Sequence, residues 1–157
     1  FLLFVAILFV IFCSTVSAGT TEEWKERIIY QFLTDRFANS DGSTAQCNNL
    51  SDYCGGSYQG AIDQLDYIQG MGFTAVWISP IVLNTPNGYH GYWTQDFYKV
   101  NPYFGTETDL KNFISECHKR DIWVMIDVVA NHVGPVGYDY SSIVPFNQSI
   151  HYHNCNS

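Results

Sequence analysis

Three short runs rich in β-branched and aromatic residues, RIIYQFL (27–33), FTAVWIS (73–79) and WVMIDVV (123–129), are separated by two segments with helical spacing. The first helical segment covers 59–69, with Ile62, Leu65 and Ile68 in phase and Gly70 and Gly72 ending it. In the second, 106–120, Thr106 and Asp109 have the spacing of a capping box, and Leu110, Phe113, Ile114 and Cys117 form one apolar stripe. Runs that are apolar on both alternating faces read as strands of a sheet covered on both sides. Strand and helix in alternation join them in parallel.

The connections are unequal. Helix leads to strand through two or three residues, around 70–72 and at Asp121, whereas each segment that follows a strand is about 20 residues or longer. The long segments all leave the carboxyl ends of strands, where α/β enzymes assemble their sites. This asymmetry suits a (β/α)8 barrel and a doubly wound sheet equally. No G-x-G-x-x-G follows the first run, which argues against a dinucleotide site, and there is no G-x-S-x-G, Walker loop, H-E-x-x-H or paired C-x-x-C.

Asp127 interrupts the third run. A buried carboxylate costs several kcal/mol or more unless it is paired and hydrogen-bonded, so partners are expected for it. Asn131 and His132 follow just beyond. An asparagine oxygen is a hard ligand suited to Ca²⁺ and a histidine can donate to a hydroxyl, although a turn capped by asparagine is the plainer reading of the pair. The segment after the second run carries Tyr89, His90, Tyr92, Trp93, Phe97, Tyr98, Tyr103 and Phe104 among glycines, asparagines and an aspartate. Flat aromatic faces beside hydrogen-bonding groups suit a pyranose ring; a loop pinned by its own aromatics is the alternative.

The first 18 residues, FLLFVAILFVIFCSTVSA, read as a secretory signal cleaved after Ala18, their apolar part falling short of the roughly 20 residues a membrane span needs. Phe1 in place of Met implies a true N-terminus upstream. The formal net charge of −8, without a basic cluster, argues against nucleic-acid binding. In a secreted chain Cys47 and Cys54, which bracket NNLSDY, are expected to form a local disulfide; Cys117 is a buried thiol, and Cys155 has no evident mate. Asn49-Leu50-Ser51 and Asn147-Gln148-Ser149 are glycosylation sequons.

DVVANH (127–132), GYHGYW (88–93), LDYIQGMGFTAVWISP (65–80), LTDRFA (33–38) and YCGG (53–56), in that register, resemble the secreted α-amylases of the fungal type, members of the α-amylase family of glycoside hydrolases. The resemblance runs from about Trp24 to at least Pro135 and implies a (β/α)8 TIM barrel. This chain would supply its first three βα units, with 1–18 the signal, 19–133 the barrel part and 134–157 the start of a calcium-binding domain inserted after strand three. It further implies that Asp127 faces the barrel centre and organises the active site, near an arginine beyond residue 157. His90 and His132 would hydrogen-bond the sugar, Tyr92 would stack on it, Trp93 would line the cleft, Asn131 would bind Ca²⁺, and Cys47–Cys54 matches a family disulfide.

The implied activity is endo-hydrolysis of α-1,4-glucosidic bonds in starch or glycogen with retention, by a secreted monomer free of the membrane once the signal is removed. An α-glucosidase or glucanotransferase of the same family, and a catalytically silent sugar-binding domain, are the alternatives. Retaining glycosidases need two carboxyl groups roughly 5 Å apart. By the resemblance these follow later strands, and Asp35, Asp96 and Asp127 have no credible acid partner in the sequence. A barrel takes about 250 residues, so 157 residues are expected to be an incomplete piece of a longer enzyme, inactive alone.

Overall fold

The computed structural model describes residues 19–43 and 46–153. The expected signal at 1–18, with Cys13, and Cys155 lie outside the described residues. The elements follow in the order α1 (Thr21–Lys25), β1 (Ile29–Phe32), α2 (Thr34–Phe37), α3 (Tyr58–Asp63), α4 (Leu65–Gly70), β2 (Ala75–Ile78), β3 (Val82–Asn84), β4 (Thr94–Val100), α5 (Glu107–Lys119) and β5 (Trp123–Ile126). A 3-10 turn covers Ser149–His151. No described helix is long and apolar enough to cross a membrane.

β1, β2 and β5 pair in parallel in that order, placing Tyr30, Val76 and Val124 side by side, and Phe32, Ile78 and Ile126 likewise. These six residues face the helices and pack with Leu65, Ile68, Leu110, Phe113, Cys117 and Ile122. Side chains alternate along a strand, so Gln31, Trp77 and Met125 take the opposite face. Two-sided burial, expected of all three strands, describes only the middle one. β5 is half-buried throughout and Ile29 in β1 is exposed, because each has a single hydrogen-bonded neighbour among the described residues.

The helical stretch at 59–69 is two short helices rather than one. Gln64 takes φ −106° and ψ 3°, and its N–H reaches back only to the Ala61 carbonyl, yet the buried stripe of Tyr58, Ala61, Leu65 and Ile68 continues through the break. Gly60 lets α3 press on the preceding backbone, since a Cβ there would lie 2.0 Å from the Ala38 carbonyl oxygen. α5 begins as expected: the Asp109 N–H donates to Thr106 Oγ1 (3.2 Å), and the Thr106 N–H (2.8 Å) and hydroxyl (2.7 Å) donate to Asp109 Oδ2. These bonds hold the Asp109 carboxyl below its ordinary pKa, and they satisfy donors that a bare helix start would leave open. Leu110, Phe113 and Cys117 are buried, each large apolar side chain contributing roughly 1.5–3 kcal/mol.

The segment after β2, expected as an aromatic loop, is an antiparallel hairpin of β3 and β4. Its inward residues Thr94 and Asp96 are polar, which hides the strand alternation from an apolar-periodicity reading. Its aromatics part company: Phe104 is buried in the core and so leaves the platform, whereas Tyr98 and Tyr103 are exposed, Tyr103 stacked on Tyr53 at 3.8 Å. Beyond β5 the chain returns along this hairpin, with the Gly134 N–H on the Thr94 carbonyl (2.9 Å), the Val144 N–H on the Gln95 carbonyl (2.9 Å) and the Phe97 N–H on the Val144 carbonyl (3.0 Å).

Candidate active site

The turn joining β3 to β4 brings His90, Tyr92 and Trp93 towards the chain leaving β5, which carries Asp127, Asn131 and His132. The turn is tight at Gly91, where φ is +86° and a Cβ would stand 2.7 Å from the Pro80 carbonyl oxygen; only glycine accommodates both demands without strain. Buried Asn84 fixes the far end, accepting from the Trp93 N–H (2.6 Å) and donating to the Val82 carbonyl (2.8 Å).

Asp127 lies one residue past β5. Its N–H still donates to the Ile78 carbonyl (3.1 Å), so the ladder continues, and its phase with Met125 turns it to the face away from the helices. There Asp127 Oδ2 accepts from the Tyr92 hydroxyl at 2.7 Å. That bond, followed by burial and the carboxylate's charge, pushes the Tyr92 pKa up to about 12, so the proton stays on the phenol. The expectation that the partners of Asp127 lie beyond residue 157 is therefore corrected: one is within the chain. Sequence spacing gave no sign of it, because the two residues are 35 positions apart.

Both histidines hold the backbone of the same tyrosine. His90 Nδ1 accepts from the Tyr92 N–H at 3.0 Å, which leaves Nε2–H as the donor on the neutral ring. Burial, then the Arg36 charge, pushes the His90 pKa below its ordinary value and favours that form. His132 Nε2 donates to the Tyr92 carbonyl (2.9 Å) while its Nδ1 accepts from Asn131 Nδ2 (3.3 Å), in the tautomer that satisfies both. Both nitrogens of His132 are thus engaged. Trp93 meets His90 edge to face at 4.8 Å, and the His90 and Tyr92 rings lie nearly parallel at 5.8 Å.

The other two carboxylates are committed to structure. Asp35 is buried, accepting from Arg36 Nε (2.9 Å) and the Cys54 N–H (2.9 Å). Asp96 pairs with Lys99 (3.1 Å) and accepts from the Tyr98 N–H (2.9 Å). Cys47 and Cys54 form the expected disulfide, and Cys117 is a buried free thiol whose pKa burial pushes up to about 12. Asn131 turns its amide nitrogen to His132, leaving the oxygen, the atom type calcium takes, pointed elsewhere. No cluster of three or more His, Cys, Asp or Glu that could hold a metal occurs among the described residues. One amide oxygen falls short of the roughly six to eight that Ca²⁺ binds, so these residues alone do not compose a calcium site. Beside the cluster, Phe97, Val129, Asn131, His132, Phe146 and Tyr152 line a cavity of about 370 Å³.

The signature of the family described as "Alpha amylase, catalytic domain" matches residues 31–149. An α-amylase of Saccharomycopsis fibuligera is 49% identical over 145 residues, 85% of this chain and 29% of that protein. The solved α-amylase of Malbranchea cinnamomea superposes with a TM-score of 0.80 at 49% identity, over 86% of this chain and 31% of that one. The α-amylase of Geobacillus thermoleovorans, solved with acarbose, gives 0.67 at 50% identity over 72% of this chain and 25% of its own. The chain thus spans about three tenths of the length of the curated relative, and its parallel sheet with crossing helices is part of a (β/α)8 barrel.

Proposed function

The chain belongs to the α-amylase catalytic-domain family, and on that footing we propose that the whole protein hydrolyses internal α-1,4-glucosidic bonds of starch-like glucans with retention. The carrying observation is the 2.7 Å bond from Tyr92 to Asp127, with His90 and His132 both holding the Tyr92 backbone. It gathers a flat ring, two imidazoles and a carboxylate beyond the strand ends, where a barrel of this family would receive a sugar.

In this reading the Tyr92 ring stacks on the glucose at the cleaved bond, Trp93 lines the cleft, and His90 Nε2–H donates to a sugar hydroxyl. His132 donates to the same sugar by exchanging its bond to the Tyr92 carbonyl. Asp127 holds Tyr92 in place and takes a further cationic partner from elsewhere in the protein. The nucleophile and the acid, which retention requires roughly 5 Å apart, are other carboxyl groups of the whole protein. Residues 19–133 form barrel and 134–157 open an inserted domain, to whose calcium Asn131 contributes one oxygen. The protein is secreted and monomeric, with exposed Asn49 and Asn147 as glycan acceptors.

Proton NMR of soluble starch incubated with the complete protein tests the reaction. Release of the α-anomer first, with mixed short oligosaccharides and an early loss of iodine staining, is expected. The β-anomer first refutes retention. Glucose alone indicates an α-glucosidase, cyclic products a glucanotransferase, and binding without turnover a silent domain.

A further inference from the structure

One side chain ties the disulfide-closed loop to the sugar cluster. Arg36 stands in α2, directly after β1, within the LTDRFA segment that the proposed reaction leaves without a role. Its Nε donates to buried Asp35 (2.9 Å), and that carboxylate also accepts from the N–H groups of Cys54 (2.9 Å) and Gly55 (3.3 Å). Its Nη2 donates to the carbonyls of Leu50 (2.9 Å) and Asp52 (2.8 Å), both inside the loop that Cys47–Cys54 closes. The same guanidinium lies over the Tyr89 ring, 3.8 Å from its centroid, and Tyr89 packs edge-on against His90 at 4.9 Å. A planar fork that bonds in its plane while stacking on an aromatic face is a geometry that lysine lacks.

We propose that Arg36 is a positioning residue for the hydrolysis proposed above: it locks the 47–54 loop against the Tyr89–His90 turn and thereby fixes where His90 Nε2 meets the sugar. The inference rests on that reading of the site. Were Arg36 only a staple for the disulfide loop, its loss would lower stability and leave the turnover of bound substrate alone. The contact through Tyr89 argues otherwise, because it leads away from the loop and ends on a side chain aimed at the ligand.

The test is kinetic, in the complete protein, with a maltooligosaccharide of defined length, well below each variant's Tm. Arg36→Lys is expected to lower kcat/KM about tenfold, chiefly through kcat, since small misplacements of a binding group are expensive. Tyr89→Leu, which leaves the ties of Arg36 to Asp35 and to the loop in place, should reproduce most of that loss. In a His90→Ala background either substitution should cost less than about twofold, because the path ends at His90. Losses that add across Arg36→Lys and His90→Ala, or a lower Tm with unchanged kcat, overturn the proposal. If Arg36→Lys does not fold, Tyr89→Leu with His90→Ala decides by the same criterion. An inactive wild-type protein instead overturns the reaction reading on which this one rests.

Discussion

An aspartate at the end of an apolar run needs partners, and Tyr92 is one of them. In the proposed reaction the tyrosine's work divides in two, the ring stacking on the sugar while the hydroxyl secures the carboxylate. Tyr92→Phe separates these roles, keeping the ring and removing the donor. Hydrogen bonds to charged groups contribute about 1.5–3 kcal/mol, so kcat/KM on starch should fall on the order of 10–100-fold while the fold persists. Unchanged kinetics would detach the Tyr92–Asp127 contact from the reaction. That these residues gather was legible in part, since they lie near strand ends, and the proposed sugar contact rests on their aromatic and hydrogen-bonding chemistry. The pairings were not: Tyr92 with Asp127, and Arg36 with Tyr89, join segments whose distance along the chain is unrelated to their distance in space.

At the scale of elements, legibility followed the apolar stripes. α5 appears with its expected N-terminal capping box because its buried face and its Thr106–Asp109 pair agree on one span. β3 and β4 did not announce themselves, since their inward positions hold the polar residues Asn84, Thr94 and Asp96, of which Asn84 and Asp96 are held by side-chain hydrogen bonds rather than by hydrophobicity. The break at Gln64 was equally silent; no proline or glycine stands there, and the stripe on either side stays in phase. Phe113 shows what α5 contributes: it is fully buried, and it packs in a cluster with Tyr58, whose ring lies 6.3 Å away. Phe113→Ala in the complete protein is expected to cost about 3–5 kcal/mol in urea-induced unfolding, by transfer and by the cavity left behind. A loss below about 1 kcal/mol would mean that the α5 stripe is not central to the barrel's helix layer.

For the whole molecule, the decisive feature is how the chain past β5 relates to the sheet. Gly134 and Val144 hydrogen-bond to β4, so the stretch after the third strand is tied to the hairpin that follows the second. Asn131 sits where that stretch departs from the barrel, its nitrogen on His132 and therefore on the Tyr92 segment. The proposed calcium ion, held there, would join the Tyr92 cluster to the returning chain, and its removal would loosen both together. A ligand at roughly a hundred times its Kd stabilises a fold by about 2.7 kcal/mol. A calcium chelator should therefore lower the Tm of the complete protein by several degrees, and Asn131→Ala should start lower and respond less. Should Asn131→Ala alter neither the Tm nor the response to chelator, Asn131 is no calcium ligand, and its oxygen serves only the local turn.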